Sequence, residues 1–205
     1  GRVRVNLETR DPQASKPRNF NLTPDDELLT TINDIVPKDI RDTALLALGT
    51  LARDPDNYPL AVGLRLSHLG NYEAAAAVFE HALRLQPTDP RTAAKLNFYL
   101  GYLTERTGTV ADYERAIAYY SLAIALNEKL YTALYNRGTL HIKLAQRAPA
   151  NETLLLEKLN AAIADLTTVI TLQPTYMDAY LNRAVAYYER DEPDDMAAAL
   201  ADLDH

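Results

Sequence analysis

The 205-residue chain has no cysteine, which excludes disulfide bonds, thiol catalysis and thiolate metal sites. Basic residues are in deficit as well, since 21 Lys and Arg stand against 28 Asp and Glu and leave a net charge of −7. Nucleic acids and anionic membrane surfaces attract basic protein faces. The charge therefore argues against either of them as the main partner.

Long apolar runs are also missing. No segment approaches the roughly 20 residues that cross a bilayer, and the N-terminus lacks the apolar core of a signal peptide. The chain begins at Gly1 rather than Met, and it stops at His205 inside a helical pattern. We therefore expect a piece of a longer protein, and the absence of a targeting segment favours a cytoplasmic location only slightly.

Catalytic patterns are lacking too. The seven glycines form neither a Walker loop nor a G-x-G-x-x-G turn, and the four histidines have no i, i+4 partner that would suggest a zinc site. The acid pairs Asp25-Asp26 and Asp194-Asp195 lie at predicted helix starts, where the helix dipole accounts for them. We expect no enzymatic activity, no cofactor and no metal.

The chain does contain a repeated pair of amphipathic segments. The clearest copy spans residues 56–89, and its two segments meet at Gly70-Asn71. The residues that fit a 34-residue helix–turn–helix pattern are Val62, Gly63, Leu66, Ala75, Phe79 and Pro87. This stretch resembles a tetratricopeptide repeat, although Pro59 stands at the tryptophan position of that pattern. The resemblance implies helix hairpins that stack into a superhelix.

The rest of the chain follows the same plan. The expected fold is all-α, a right-handed α-solenoid of antiparallel helix hairpins with about ten helices. The predicted divisions are an extended N-terminal arm over 1–22 and a solenoid over 23–205, made of a degenerate repeat over 23–55, repeats over 56–89, 90–127 and 128–176, and an incomplete last repeat over 177–205. Twelve additional residues between Gly138 and Ala162 are expected to lengthen both helices around a loop at Pro149.

The N-terminal arm carries two prolines and no helical period. Val3, Val5 and Leu7 alternate with polar residues, which would suit a short strand. A strand would have no partner in an otherwise helical chain, so an extended arm is preferred.

Small residues recur where the two helices of each predicted hairpin would meet. Gly63, Gly101, Gly138 and Ala184 occupy that position in the first helices, where they would allow close approach. Each hairpin has two apolar edges and can bury only one of them by itself, so neighbours must stack. The sequence ends without a polar capping helix, so the face over Ala197–Leu203 is expected to be exposed here. Missing sequence, another copy of the chain, or nothing would then cover it.

A charge correlation between helices supports this alignment. Arg137 and Arg183 precede the small residue in the last two repeats, and Asp165 and Asp202 stand at the matching position of the second helices. In the two earlier repeats these positions are apolar: Val62 and Leu100, with Val78 and Tyr119. A buried charge is costly alone but tolerable in a bidentate pair. We predict structural Arg137–Asp165 and Arg183–Asp202 ion pairs.

The resemblance also implies a binding surface, because the first helices of tetratricopeptide repeats line a concave groove. The candidate groove residues are Leu60, Leu64, His68, Lys95, Phe98, Tyr99, Tyr102, Tyr135, Asn136, Thr139, Lys143, Leu181, Asn182, Val185 and Tyr188. This lining is mostly aromatic and aliphatic, and it favours an extended peptide or a helix with apolar anchors. Packing between hairpins explains Phe98, Tyr102 and Tyr135 equally well.

Asn136 and Asn182 share a repeat position at which some members of the family hold a peptide backbone. Another subclass clamps a C-terminal carboxylate with basic residues. At the clamp positions this chain has Leu60, Leu64, Tyr99, Thr132 and Asn136. None of these is basic, so that mode is not expected.

The leading hypothesis is a non-catalytic protein–protein interaction scaffold that binds a peptide or helix of a partner in the groove. One alternative is self-association as a homodimer, through the last repeat or the 150–160 extension, with the groove idle or filled by residues 1–20. Another is a regulatory segment of a larger enzyme. The expected partner is a protein or peptide, with no nucleic acid and no membrane insertion in this part of the chain.

Overall fold

A computed structural model describes residues 4–5, 20–21, 58–84, 86–106, 108–147 and 150–204. The chain divides into two compact units, Gly1–Thr92 and Ala93–His205. The helices expected within 23–55 and the loop expected at Pro149 lie outside the described residues.

The first unit contains a two-stranded antiparallel ladder near the N-terminus. Strand β1, Arg4–Val5, pairs with strand β2, Phe20–Asn21. The inference that a strand here would lack a partner was wrong, because the partner lies further along the same arm. Antiparallel pairing satisfies backbone N–H and C=O groups that an isolated extended segment leaves to water. All other described elements are helices, in agreement with the all-α prediction.

The first unit also contains a helix hairpin, formed by α1, Tyr58–His68, and α2, Tyr72–Arg84. The turn between them falls at Gly70-Asn71, as predicted. Gly70 has a φ of +79°, a conformation that glycine adopts without a steric penalty. The Asn71 side chain accepts a hydrogen bond from the amide of Ala74 at 3.2 Å, which satisfies a free donor at the start of α2.

The α1–α2 hairpin is closest where Gly63 faces Phe79. A Cβ atom at position 63 would lie 2.1 Å from the Phe79 ring, far inside van der Waals contact. Val62, Leu66 and Ala75 are buried around this contact. The absence of a side chain at Gly63 therefore allows the ring to pack directly against the backbone of α1.

Six further helices follow, and all but the first turn of α3 belong to the second unit. They are α3 Pro90–Glu105, α4 Val110–Leu126, α5 Tyr131–Arg147, α6 Glu152–Leu172, α7 Met177–Arg190 and α8 Asp195–Leu203. The described residues thus contain eight helices, fewer than the ten or so expected. The difference corresponds to the two helices expected within 23–55.

Polar side chains cap the starts of three of these helices. At the start of α3, Asp89 accepts a hydrogen bond from the amide of Thr92 at 3.1 Å. The Thr109 hydroxyl accepts a hydrogen bond from the amide of Asp112 at the start of α4. Asn151 does the same for the amide of Leu154 at the start of α6. All three are favoured capping residues because their oxygens satisfy backbone donors of the first turn.

The additional residues of the 128–176 repeat lengthen its second helix. Helix α6 has 21 residues against 17 in α4. Helix α5 has 17 residues against 16 in α3, so the expected lengthening of the first helix is not found. Leu155, in the added turns, packs against the neighbouring apolar cluster. The added turns therefore extend the core at the start of α6.

The second unit has two apolar clusters that follow each other along the chain. The first joins α4 and α5 through Tyr113, Ala116, Tyr120, Ala123, Ala133, Leu140 and Leu144. The second joins α5, α6 and α7 through Leu134, Ile142, Ala145, Leu159, Ala162, Leu166, Val169, Ala179 and Ala186. Each cluster includes residues of the next hairpin, as expected for stacked hairpins. Among the helices described, none is long and apolar enough to span a bilayer.

Candidate partner-binding surface

The candidate residues of the first unit lie on α1. Leu60 is buried, Leu64 is half-buried and His68 is exposed. Leu60 therefore belongs to the core of the hairpin, and it offers little surface to a partner.

The candidate residues on α3 divide into packed and exposed side chains. Phe98 lies edge-on to Tyr99, with ring centroids 5.1 Å apart, and its centroid is 5.8 Å from that of Tyr120. Lys95 and Tyr102 are exposed. The packing explanation therefore suits Phe98, whereas Tyr102 keeps a surface that a ligand could contact.

On α5, Tyr135 and Asn136 are tied to neighbouring elements. The Tyr135 ring packs edge-on against Tyr176, with centroids 5.0 Å apart. The amide of Asn136 donates a hydrogen bond to the Tyr120 hydroxyl at 3.0 Å. That hydroxyl in turn donates to Glu105 Oε2 at 3.0 Å. A chain of hydrogen bonds thus links α5 to α4 and α3.

The two groups at the end of this chain of hydrogen bonds, the Tyr120 hydroxyl and the Glu105 carboxyl, both have shifted pKa values. Burial raises the pKa of the Glu105 carboxyl, and the Tyr120 hydrogen bond partly offsets the shift. The pKa of the Tyr120 hydroxyl is also raised, by burial and by the neighbouring carboxylate. Lys143 lies over the Tyr113 ring, with Nζ 5.5 Å from its centroid, and its charge also favours the ionised form of Glu105.

The side-chain amide of Asn182 on α7 donates hydrogen bonds to hydroxyl groups, as that of Asn136 does. Its amide donates to the Tyr135 hydroxyl at 3.0 Å and to Thr139 Oγ1 at 3.3 Å. Both asparagines therefore hydrogen-bond to the preceding hairpin. Leu181, Val185 and Tyr188, on the same helix, are exposed. Asn182 is fixed in place, while its apolar neighbours remain accessible.

The two ion pairs that the sequence predicts are present in the second unit. Arg137 donates from Nε and Nη2 to the two oxygens of Asp165, at 2.8 and 2.7 Å. Arg183 binds Asp202 in the same way, at 2.8 and 2.6 Å. The hydrogen bonds to Asp202 raise the pKa of the Arg183 guanidinium.

A third pair of the same kind was missed. Arg190, at the end of α7, donates to both oxygens of Asp195, at 2.9 and 2.6 Å. Asp195 is buried, and its bonds to Arg190 hold the pKa of its carboxyl below the usual range. The helix-dipole explanation given above for Asp195 is therefore incomplete. The feature of the sequence that could have predicted this pair is an arginine five residues before an aspartate, with a tight turn between them.

Within the described ranges, no three His, Asp or Glu side chains come together in a way that could hold a metal ion. His81 is buried and its Nδ1 lies 3.4 Å from the Arg84 guanidinium. His141 is half-buried, and its Nδ1 has no hydrogen-bond partner among the described residues.

Comparison with known proteins agrees with this helical architecture. The family model described as tetratricopeptide repeat matches residues 62–89. The photosystem I assembly protein Ycf3 of Acaryochloris marina (strain MBIC 11017) is 36% identical over 84 residues, which are 40% of this chain and 48% of that protein. The chain thus matches about half the length of that relative.

Two solved structures are similar in fold. YrrB, a TPR protein with an unusual peptide-binding site, has a TM-score of 0.57 and 22% identity, covering 86% of this chain and 78% of its own. TTC0263, a thermophilic TPR protein in Thermus thermophilus, has a TM-score of 0.51 and 25% identity, covering 73% of this chain and 75% of its own. Residues 62–89 thus match the tetratricopeptide-repeat model, and the chain is similar in fold to solved TPR proteins.

Proposed function

We propose that this chain is a non-catalytic protein–protein interaction scaffold, which binds an extended peptide or a short helix of a partner along the first helices of its hairpins. Within the second unit the proposed site, called here the first-helix surface, consists of the candidate residues on α3, α5 and α7. Its accessible apolar members are Tyr102, Leu181, Val185 and Tyr188.

The observation that carries the proposal is the apolar stripe on α7. Leu181, Val185 and Tyr188 recur at helical spacing, and all three are exposed. A scattered exposed apolar residue needs no explanation, but a contiguous row favours a binding surface. Tyrosine is also enriched among the residues that dominate binding energy at interfaces.

The asparagines supply the polar part of the proposed site. Because the amide nitrogens of Asn136 and Asn182 already donate to hydroxyl groups of the preceding hairpin, their side chains are held in one orientation. A side-chain carbonyl oxygen can accept two hydrogen bonds, so each asparagine can accept one from a peptide N–H. A group that is already ordered loses less entropy on binding.

The comparisons also support a role in protein binding, but they do not identify the partner. YrrB is described as having a peptide-binding site, and Ycf3 is described as an assembly protein. Both descriptions fit a chain that acts by holding other proteins.

The test is a selection of short random peptides displayed on phage against the 205-residue chain. Enriched peptides should carry aromatic or aliphatic anchors, and Val185→Glu should weaken their binding by about tenfold or more, as expected for an interface hot spot. Leu126→Glu is the matched control, since Leu126 on α4 is 43% exposed and Val185 is 40% exposed. Selected peptides that bind both variants equally well would contradict the proposed site.

A further inference from the structure

A half-buried carboxylate, Glu105, lies at the end of the first-helix surface. It is the last residue of α3 and follows the exposed Tyr102 by three positions, so the two side chains share one side of the helix. The Tyr120 hydroxyl that donates to Glu105 also accepts a hydrogen bond from Asn136, a candidate residue of that surface. Glu105 is therefore held beside the residues that are proposed to contact a peptide.

The position of Glu105 belongs to the core in the next hairpin. When the two hairpins are aligned on Gly101 and Gly138, Glu105 matches Ile142. Ile142 is 5% exposed and lies in an apolar cluster. A carboxylate thus replaces an aliphatic side chain at a position that the fold shields from water, and burial of a charge without a partner is costly.

The end of α3 is a second unfavourable feature for this carboxylate. The carbonyl groups at a helix C-terminus carry partial negative charge, so cations are stabilised there and anions are not. Glu105 occupies the last position of the helix. Local rules of this kind tend to be broken at functional sites. The cost that Glu105 imposes on the free chain therefore makes it a candidate contact for a ligand.

The buried aspartates of the second unit show what Glu105 lacks. Asp165, Asp195 and Asp202 each accept two hydrogen bonds from one arginine, as described above. Glu105 accepts one hydrogen bond, at Oε2, from the neutral Tyr120 hydroxyl. Its Oε1 has no hydrogen-bond or ion-pair partner among the described residues. The group that is missing beside Glu105 is a cation.

Two cations of the chain lie near Glu105 but bind elsewhere. The Lys143 ammonium lies over the Tyr113 ring, 5.5 Å from its centroid. The Arg106 guanidinium donates to the Tyr102 hydroxyl at 3.4 Å. Both charges favour the ionised form of Glu105. They therefore help to keep a carboxylate at this position and leave Oε1 open to a donor from outside the chain.

We propose that Glu105 Oε1 binds the cationic group of an arginine or lysine side chain on the peptide that lies along the first-helix surface. Arginine fits better than lysine, because its planar fork can also reach the second carboxylate oxygen, as in the three internal pairs. The inference rests on the proposed function, and it adds to the apolar anchors a basic residue of the partner. A basic ligand also suits the net charge of −7.

The first test needs no peptide partner. N-acetyl-arginine amide and N-acetyl-citrulline amide, its neutral analogue, are titrated into the isotope-labelled 205-residue chain, and binding is followed by NMR chemical shifts. The arginine probe should shift the signals of Glu105, Tyr120 and the Asn136 side-chain amide. The citrulline probe should bind about tenfold more weakly, because it cannot form a charge-assisted hydrogen bond. Equal affinity of the two probes, or an absence of shifts at these residues, would overturn the proposal.

Variants locate the binding group. Glu105→Gln keeps an oxygen for the Tyr120 hydroxyl but removes the charge, so it should weaken binding of the arginine probe about tenfold while circular dichroism shows an unchanged fold. Glu114→Gln, at an exposed position on α4, is the matched control and should bind the probe as the original chain does. Lys143→Gln should leave this binding unchanged or slightly tighter. If the probe bound only after Lys143→Gln, Lys143 would itself supply the cation and the proposal would be wrong.

The selection of random peptides separates this inference from the proposed function. On the original chain it should enrich arginine or lysine at a fixed distance from the apolar anchors, and on the Glu105→Gln chain that enrichment should disappear. Apolar peptides without a basic residue on both chains would support the proposed function and overturn this inference. If neither chain enriches any peptide, the proposed function fails, and the arginine probe alone decides whether Glu105 binds a cation.

Discussion

Arg137 donates a hydrogen bond from Nη1 to the Ser121 hydroxyl at 2.9 Å, in addition to the two that it gives Asp165. Since Ser121 lies on α4, one guanidinium joins both helices of its own hairpin to the second helix of the hairpin before. Arg183 makes the corresponding third bond to Thr167 on α6, at 3.0 Å. Each arginine thus fixes both the closure of a hairpin and its stacking on the preceding one.

Removal of the Asp165 carboxylate should be strongly destabilising. Asp165→Ala leaves the half-buried Arg137 without its partner, and an uncompensated charge of this kind costs about 3 kcal/mol of the free energy of unfolding. Urea denaturation followed by circular dichroism measures the loss as a lower transition midpoint.

The matched control comes from the chain itself. Arg137→Leu combined with Asp165→Tyr installs the apolar pair that Leu100 and Tyr119 provide in the preceding hairpin. Replacement of a whole ion pair by packed apolar residues is often nearly neutral, so the double variant should be more stable than Asp165→Ala. A double variant at least as unstable as Asp165→Ala would show that the charge correlation has another cause.

Gly63→Ala should destabilise the first hairpin. The new Cβ would lie 2.1 Å from the Phe79 ring, and forcing an additional carbon into a packed core costs about 1–3 kcal/mol. This cost exceeds the roughly 1 kcal/mol that alanine gains over glycine inside a helix. Thermal unfolding monitored by the helical circular dichroism signal should give a lower midpoint.

Gly138→Ala provides the comparison for this substitution. Its Cβ would lie 3.1 Å from the Leu166 side chain, a tighter contact than usual but one that a small shift relieves. The equivalent residue in the last hairpin is Ala184, which shows that the position accepts a methyl group there. Gly138→Ala should therefore cost less than Gly63→Ala, and the reverse order would contradict the packing argument.

Arg190→Lys should weaken the last hairpin even though it preserves the charge. Arg190 binds both oxygens of Asp195 and donates from Nη1 to Asn160 Oδ1 at 2.7 Å. A lysine ammonium cannot reproduce this planar fork, so the free energy of unfolding should fall by about 1–2 kcal/mol. Arg115→Lys is the control, because Arg115 is largely exposed and forms a surface pair with Asp112; its change should stay below about 0.5 kcal/mol. If the two variants lost the same free energy of unfolding, the planar guanidinium of Arg190 would have no special role.

Much of the second unit was predictable because its hairpins share one pattern. The correlation between Arg137 and Asp165 was visible from sequence, since both positions change from apolar to charged together. The small residue at Gly63 and the turn at Gly70 were visible for a similar reason, because close helix approach and a positive φ both favour glycine.

Features without a counterpart in other hairpins were not predictable. The positions equivalent to Arg190 and Asp195 are Leu144 and Lys158, so no correlation pointed to that pair. The pairing of β1 with β2 depends on two short segments of one arm, and a two-residue strand carries almost no periodic signal. The hydrogen bonds of Asn136 and Asn182 depend on the placement of neighbouring hydroxyl groups, which repeat spacing does not specify.

His141 should make the stability of the second unit dependent on pH. Its Nδ1 is buried without a hydrogen-bond partner among the described residues, and burial lowers the pKa of the imidazole from 6.5 to about 4. The nearby Asp165 and Glu157 favour the protonated form, while Lys158 and Arg137 oppose it. Since the unfolded chain binds the proton more readily than the folded one, the free energy of unfolding falls as pH decreases from 6.5 towards 4.

The variant His141→Leu isolates this effect. It removes both the titrating group and the unsatisfied buried nitrogen, so the protein should gain about 1 kcal/mol near neutral pH. Between pH 6.5 and pH 4 the advantage over the original chain should grow by about 3 kcal/mol, because the variant has no imidazole to protonate. Urea denaturation at a series of pH values measures both quantities. If the free energy of unfolding of His141→Leu fell with pH as steeply as that of the original chain, His141 would not be the cause. The decrease would then come from carboxylates such as Asp195, whose ion pair with Arg190 is lost when the carboxylate is protonated at lower pH.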